Sequence, residues 1–310
     1  MSFKKDLPLT SSHWGTYRAK VKDGKVKELI GWENDKDPSP IGQGIVDVHN
    51  HQTRIDSPMI RKSWMDKGPG SNNSLRGTDP FISISWDEAE KIVSNELNRV
   101  KNDFGNASIF GGSYGWASAG RFHHAQSQLH RFLNCIGGYT RSKFTYSFAA
   151  AEAMVPHILG SYRAFLDTCT SWESIEENTE LFICFGGVPL KNGQIAQGGT
   201  GSHKQKEKLI RSANAGIKFV NFSPLKSDLL DEVNGEWLAL RPNTDVAIML
   251  GLAHTLYKEK LYDDKFIEKY TEGFDTFLPY LQGDIDGIVK DANWASSISE
   301  IPSEKIISLA

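Results

Sequence analysis

The chain has 310 residues, 39% hydrophobic and 24% charged, which is enough apolar material for one large or two modest cores. Its 35 basic and 38 acidic residues leave a formal net charge of −3 with no run of Lys or Arg, so composition argues against a nucleic-acid or anionic-membrane partner and toward small molecules. Cys135, Cys169 and Cys184 stand apart with no CxxC, which speaks against a disulfide framework, a cysteine zinc site or a cysteine-held iron–sulfur cluster. With no apolar leader and no stretch long enough to span a membrane, the expectation is a reduced, cytoplasmic setting.

Residues 1–57 mix short apolar pieces with the turn signals Asp23-Gly24, Asp37-Pro38 and Pro40, the pattern of a small β-rich lobe. From Pro58 to Pro80 the sequence is basic, rich in Gly and Asn and weakly periodic, and reads as mostly ordered loop or as a lid. Ser85-Trp86-Asp87-Glu88 matches a capping box, and Ala89, Ile92, Val93, Leu97 and Val100 then recur at helical spacing to about residue 103. Three apolar strands each run into a turn: Ala107–Phe110 into Gly111-Gly112, Leu181–Phe185 into Gly186-Gly187, and Ile217–Phe222 into Ser223-Pro224. Helical stretches at about 121–133, 149–159 and 204–214 lie between them, and a further apolar helix, Val246–Tyr257, begins behind Thr244-Asp245.

Strands alternating with helices predict an α/β fold with a mostly parallel sheet covered on both faces, all three turns at its carboxyl edge where ligands bind. The expected division is a lobe over 1–57, an α/β domain over 58–165 and a Rossmann-like dinucleotide-binding domain over 166–310. The end, Ile306-Ile307-Ser308-Leu309-Ala310, has no capping glycine or polar tail and reads as a chain cut short.

Gly111, Gly112 and Gly115 permit close backbone approach to a ligand, with Tyr114 offering a phenolic donor and Trp116 an indole face. Those residues alone fit an ordinary tight turn as well as a cofactor site. Gly186-Gly187-Val188-Pro189-Leu190-Lys191-Asn192 follows a strand as a phosphate or ribose cradle would, yet it is neither GxGxxG nor a Walker loop. Ser223, Ser227 and Asp228 offer hydroxyls and a carboxylate suited to a nucleotide and equally to a solvated turn. Asp245 is placed to meet a purine edge or simply a helix dipole. His123 and His124 have no partner at metal spacing, and no GxSxG elbow supports a serine hydrolase.

Taken in order, Ser12-His13-Trp14-Gly15, Arg76-Gly77-Thr78-Asp79, Ser85-Trp86-Asp87-Glu88-Ala89, Ser113-Tyr114-Gly115-Trp116, Gly137-Gly138-Tyr139-Thr140, Tyr146-Ser147 and Thr244-Asp245-Val246-Ala247 resemble the molybdopterin oxidoreductases of the dimethyl sulfoxide reductase family. The similar branch is the cluster-free reductases of biotin sulfoxide, dimethyl sulfoxide and trimethylamine N-oxide. The resemblance implies two molybdopterin guanine dinucleotides holding one molybdenum ion, with Ser147 as its protein ligand and no iron–sulfur cluster. It also implies Tyr114 and Trp116 beside the oxygen being transferred, and cofactor contacts at Gly115, Trp116, Ser147, Gly187, Pro189, Asn192, Ser223, Ser227 and Asp245. The implied partners are an S-oxide or N-oxide substrate and an external electron donor. Phe144-Thr145 replaces the family's usual Gly-Asp, and Phe148 follows Ser147 where a small residue is common. Two alternatives stand beside this reading: a related molybdopterin oxidoreductase with another substrate, and a catalytically silent fragment.

Overall fold

The computed structural model describes residues 6–48, 51–71, 73–112, 124–145, 147–195 and 201–310. The chain forms two compact units, one of Met1–Cys169 with Ile195–Ser202, the other of Thr170–Gln194 with His203–Ala310.

The first unit opens with an antiparallel meander of β1 (Leu9–Ser12), β2 (Gly15–Lys22) and β3 (Lys25–Gly31). Asp23 (φ 52°) and Gly24 (φ 70°) make the two-residue β2–β3 turn, the left-handed pair whose twist matches a hairpin. A helix, Ile41–Val48, follows in a stretch whose turn signals suggest only strands and loops. It forms because Gly42 has no side chain: a Cβ there would collide with the ring of Tyr17, which lies buried on β2 and donates its hydroxyl to Ser39 O at 2.9 Å.

The span 58–80, expected to be loop, is also more ordered. β4 (Met59–Arg61) pairs antiparallel with β5 (Phe81–Ser83), and helix Lys62–Lys67 lies between them. Asp79 holds that helix start by accepting from the Ser63 N–H at 3.2 Å and from its hydroxyl. The helix from Trp86 to Phe104 begins as predicted, with the Ser85 hydroxyl accepting from Glu88 N–H at 3.2 Å, and stops at Gly105.

Two short parallel strands follow, β6 (Phe110–Gly111) and β7 (Thr140–Arg141), joined through helix Ala125–Cys135. The strand predicted over Ala107–Phe110 is mostly a tight turn at Asn106–Ser108, because the Asn106 amide reaches across to Ile136 O and Gly138 O and curls the backbone locally. Helix Ala149–Leu159 lies where periodicity placed it.

The second unit is built on a three-stranded parallel sheet of β8 (Leu181–Phe185), β9 (Lys218–Phe222) and β10 (Glu236–Leu238), in the order β10-β9-β8. Alternation along β9 divides its side chains between two cores. Phe219 packs with Cys184, Leu209 and Leu229 beneath helix Gln205–Asn214. Val220 and Phe222 pack with Ile248, Ala295 and Ile306 from helices Asp245–Lys258, Ala292–Ser299 and Ser303–Leu309. The sheet is thus covered on both faces, as expected. The first glycine turn is not on it: β6 pairs with β7 in the other unit, so only the turns after β8 and β9 share a carboxyl edge. Periodicity identifies strands without saying which sheet each one joins. Among the described residues no helix is long and apolar enough to cross a membrane.

Candidate functional site

Ser147 lies on an exposed turn that enters helix Ala149–Leu159. Three side chains shape the turn. Glu152, one turn into the helix, accepts from Thr145 N–H at 2.9 Å. The Thr145 hydroxyl lies 3.2 Å from the Ser147 hydroxyl and accepts from Phe148 N–H at 3.4 Å. Phe148 stacks on Tyr162 with centroids 5.6 Å apart, and the Tyr162 hydroxyl's pKa is raised by lost solvent and by the nearby Glu152 carboxylate. Ahead of the turn Phe144 is half-exposed at φ 64°, the left-handed conformation that glycine takes without steric cost. Tyr114, Gly115, Trp116 and Tyr146 lie outside the described residues.

The second unit gathers its predicted residues at one sheet edge. Gly186 (φ 82°) and Gly187 (φ 78°) turn the chain out of β8, and Gly186 N–H donates to Phe222 O at 2.8 Å, tying the ends of β8 and β9 together. A Cβ on Gly187 would overlap the Asp228 carbonyl oxygen, so the two loops touch through bare backbone. Pro189 is buried, and Asn192 is exposed on the tight turn Leu190–Gln194. The Gln205 amide donates to Val188 O at 3.1 Å and Pro189 O at 3.2 Å, fixing that loop from the helix behind it.

Ser223 is fully buried, donates its hydroxyl to Asp228 Oδ2 at 2.6 Å and accepts from Leu225 N–H at 3.2 Å, so its oxygen serves the inside of the loop. Lys191 reaches the other Asp228 oxygen at 3.5 Å from the first loop. Ser227 is exposed on the same turn, and Asp245 is half-buried at the first position of helix Asp245–Lys258. Thr244 does not cap that helix with its hydroxyl, which turns back to Arg241 O at 2.6 Å.

Sequence reasoning passed over Glu152, Gln205 and the structural use of Asp228. The signal for Asp228 was its hydroxyl- and carboxylate-rich string; Glu152 and Gln205 leave no local signal, since each acts across a turn or from a distant helix. Burial holds the Cys184 thiol at about 11, which makes it packing rather than a nucleophile.

In the second unit a parallel sheet carries hydroxyls, glycines and a helix start at its carboxyl edge, the edge at which open α/β sheets bind ligands. The molybdopterin oxidoreductase family pattern matches residues 54–295, and that of the molybdopterin oxidoreductase N-terminal domain matches residues 10–48. The chain belongs to the molybdopterin oxidoreductase family, and molybdenum with its molybdopterin cofactor comes with that membership.

It is 39% identical over 302 residues to the dimethyl sulfoxide/trimethylamine N-oxide reductase of Rhodobacter capsulatus, covering 97% of this chain and 36% of that protein. It is 40% identical to the biotin sulfoxide reductase of Cereibacter sphaeroides, over 89% of this chain and 37% of that one. It therefore spans a little over a third of the length of these relatives. Among solved structures, acetylene hydratase from Pelobacter acetylenicus superposes with a TM-score of 0.63 at 20% identity, covering 97% of this chain and 38% of that one, a likeness of fold.

The donor set fits the cofactor class. A dithiolene cofactor brings its own sulfurs to the metal, so the protein need add only one oxygen, and the Ser147 hydroxyl on an exposed turn meets that requirement. Among the described residues no group of three or more His, Cys, Asp or Glu is arranged to hold a metal unaided. At the sheet edge Gly186 leaves open space where a Cβ would stand.

Proposed function

We propose that this chain is part of a molybdenum-dependent reductase of S-oxides or N-oxides that uses bis-molybdopterin guanine dinucleotide. The observation that carries this reading is 36–40% identity, over most or nearly all of the chain, to relatives named as reductases of dimethyl sulfoxide, trimethylamine N-oxide and biotin sulfoxide. When bound, the molybdenum cofactor supplies the two-electron couple that oxide reduction needs, with two protons completing the release of water. Ser147 is the residue that would hold the metal, its backbone set by Thr145 and Glu152. Tyr114 would donate a hydrogen bond to the substrate oxygen and Trp116 would wall the pocket, a kind of donor whose loss costs roughly 10²- to 10³-fold in rate elsewhere. Gly187, Pro189, Asn192, Ser223, Ser227 and Asp245 would serve the nucleotide end, Ser223 by shaping its loop rather than by direct contact. Electrons would arrive from an external donor, since no cysteine precedes Cys135 to hold a cluster.

Expressed in a host that makes the cofactor, the chain should carry molybdenum in a ratio to protein near one by elemental mass spectrometry. Ser147→Ala should alter the metal's absorption spectrum and remove most reduction of dimethyl sulfoxide by reduced viologen. An unchanged spectrum with unchanged turnover would take Ser147 out of the site. A loaded protein inactive on every S- and N-oxide would favour a family member with another substrate, the reading that Phe144-Thr145 in place of Gly-Asp supports.

A further inference from the structure

Glu152 joins Thr145 to the first turn of helix Ala149–Leu159. Its backbone N–H donates to Phe148 O at 3.1 Å, and its carboxylate reaches back to accept from Thr145 N–H at 2.9 Å. Thr145 is half-buried, while Ser147 beside it is exposed. The anchored Thr145 hydroxyl makes two contacts, accepting from Phe148 N–H at 3.4 Å and lying 3.2 Å from Ser147 Oγ. The first is a helix-start bond of the kind that Thr, Ser or Asp supplies equally. The second does nothing for the helix, and couples Thr145 to the oxygen that would hold the metal.

We infer that Thr145 is the positioning residue for Ser147, donating its hydroxyl proton to Ser147 Oγ and so setting the direction of that oxygen and its electron-donating strength toward the metal. This rests on the reading of Ser147 as the protein ligand. The direction of the bond follows from counting protons. A hydroxyl has one, and the Thr145 oxygen is already accepting from Phe148, so its proton is left for an acceptor, with Ser147 Oγ in reach. A serine oxygen that bonds a metal as an alkoxide has no proton to give, so the pair is then satisfied only with Thr145 as donor. The 3.2 Å separation leaves room to shorten, since an O–H···O⁻ bond draws in to about 2.5–2.7 Å. Position 145 is also where this chain departs from the family's usual Asp. Asp would accept from Phe148 N–H equally well, yet when ionised it has no proton to offer Ser147. Thr145 thus gives the ligand oxygen a donor, the kind of outer partner that orients a ligand and tunes its metal. By drawing electron density from that oxygen it favours the reduced metal over the oxidised one.

Two readouts separate the donor from the helix cap. In the metal-free chain, amide hydrogen exchange at Phe148 reads the helix-start bond. Thr145→Val, which removes the hydroxyl at nearly constant shape, should speed that exchange about fivefold, the worth of one ordinary hydrogen bond, while Thr145→Ser and Thr145→Asp should keep it protected. In the molybdenum-loaded protein, pulsed electron paramagnetic resonance in light and heavy water reads exchangeable protons beside the ligand oxygen. The Thr145 proton signal should be present in the unaltered protein and in Thr145→Ser, and lost near neutral pH in both Thr145→Val and Thr145→Asp. A signal that survives Thr145→Val, or unchanged Phe148 exchange in that variant, would overturn the proposal. A signal lost in Thr145→Val but kept in Thr145→Asp would overturn it too, leaving Thr145 a cap alone. Ser147→Ala decides the underlying reading separately. If the metal's spectrum ignores that change, Ser147 is not the ligand and the positioning role falls with it; if the spectrum responds and the Thr145 variants are silent, only the donor role is wrong.

Discussion

Phe144 and Gly187 both sit at positive φ, 64° and 78°, on turns leading to predicted cofactor residues, and the chain treats them in opposite ways. Gly187 is locked by its surroundings, since the Asp228 backbone occupies the space of any Cβ. Phe144 has no such constraint: its ring is half-exposed, with the Lys143 ammonium 5.4 Å from its centroid. One turn is therefore defined by packing and excludes every residue but glycine. The other is held by the hydrogen bonds of Thr145, Glu152 and Phe148 strongly enough to carry a bulky residue in a strained conformation. Strained backbone beside a functional side chain is where a fold spends stability to aim an atom, and Ser147, the proposed metal ligand, is three residues on.

The largest expected effect comes from breaking the packed turn. Gly187→Ala combines left-handed strain with a clash against backbone that cannot swing away, and should destabilise the second unit by about 3 kcal/mol or more, read as a lower urea midpoint. Gly186→Ala is the control, with a similar φ and open space at the Cβ, and should cost only the strain, about 1–2 kcal/mol. Equal losses for the two would show that the contact with Asp228 is not what fixes the loop.

The opposite change sharpens the other half. Phe144→Gly should stabilise the first unit by about 0.5–1 kcal/mol, the relief of strain being partly offset by the greater freedom of glycine in the unfolded chain. A thermal midpoint that falls would mean that the Phe144 side chain holds the turn through contacts worth more than the strain.

What the sequence revealed and what it withheld divide along the same line. Helix Ala149–Leu159, strand β8 and the Ser85 cap were legible because each is specified by neighbours a few residues apart. Helix Ile41–Val48 was not, because its two glycines oppose helix and it is rescued by the ring of Tyr17 from another strand. β10 has three residues, too few for a period. In the candidate site the motif residues could be named, whereas their supports, Glu152, Gln205 and Asp228, act through folded contacts. Asn221 did leave a trace, a lone amide in Phe219-Val220-Asn221-Phe222, but that neither end of it is hydrogen-bonded among the described residues is visible only once the sheet is assembled.

The smallest expected effect concerns the surface that clamps the second unit's helices. Lys208 reaches Glu173 at 2.8 Å between helices Gln205–Asn214 and Trp172–Asn178, and that ammonium, followed by backbone N–H contact, holds the Glu173 carboxyl at about 2 against an ordinary 4.5. A carboxyl depressed by folding stabilises the native state above its unfolded pKa. That contribution is lost as pH falls from 4.5 through about 2, because the unfolded chain takes up the proton first. Glu173→Gln should therefore lag the unaltered chain slightly at neutral pH, converge with it across that window and match it below. Since Glu173 is exposed, the gap should also shrink in high salt. A gap independent of pH and salt would make the contact one of packing, and would extend to the surface the rule that Gly187 shows in the core.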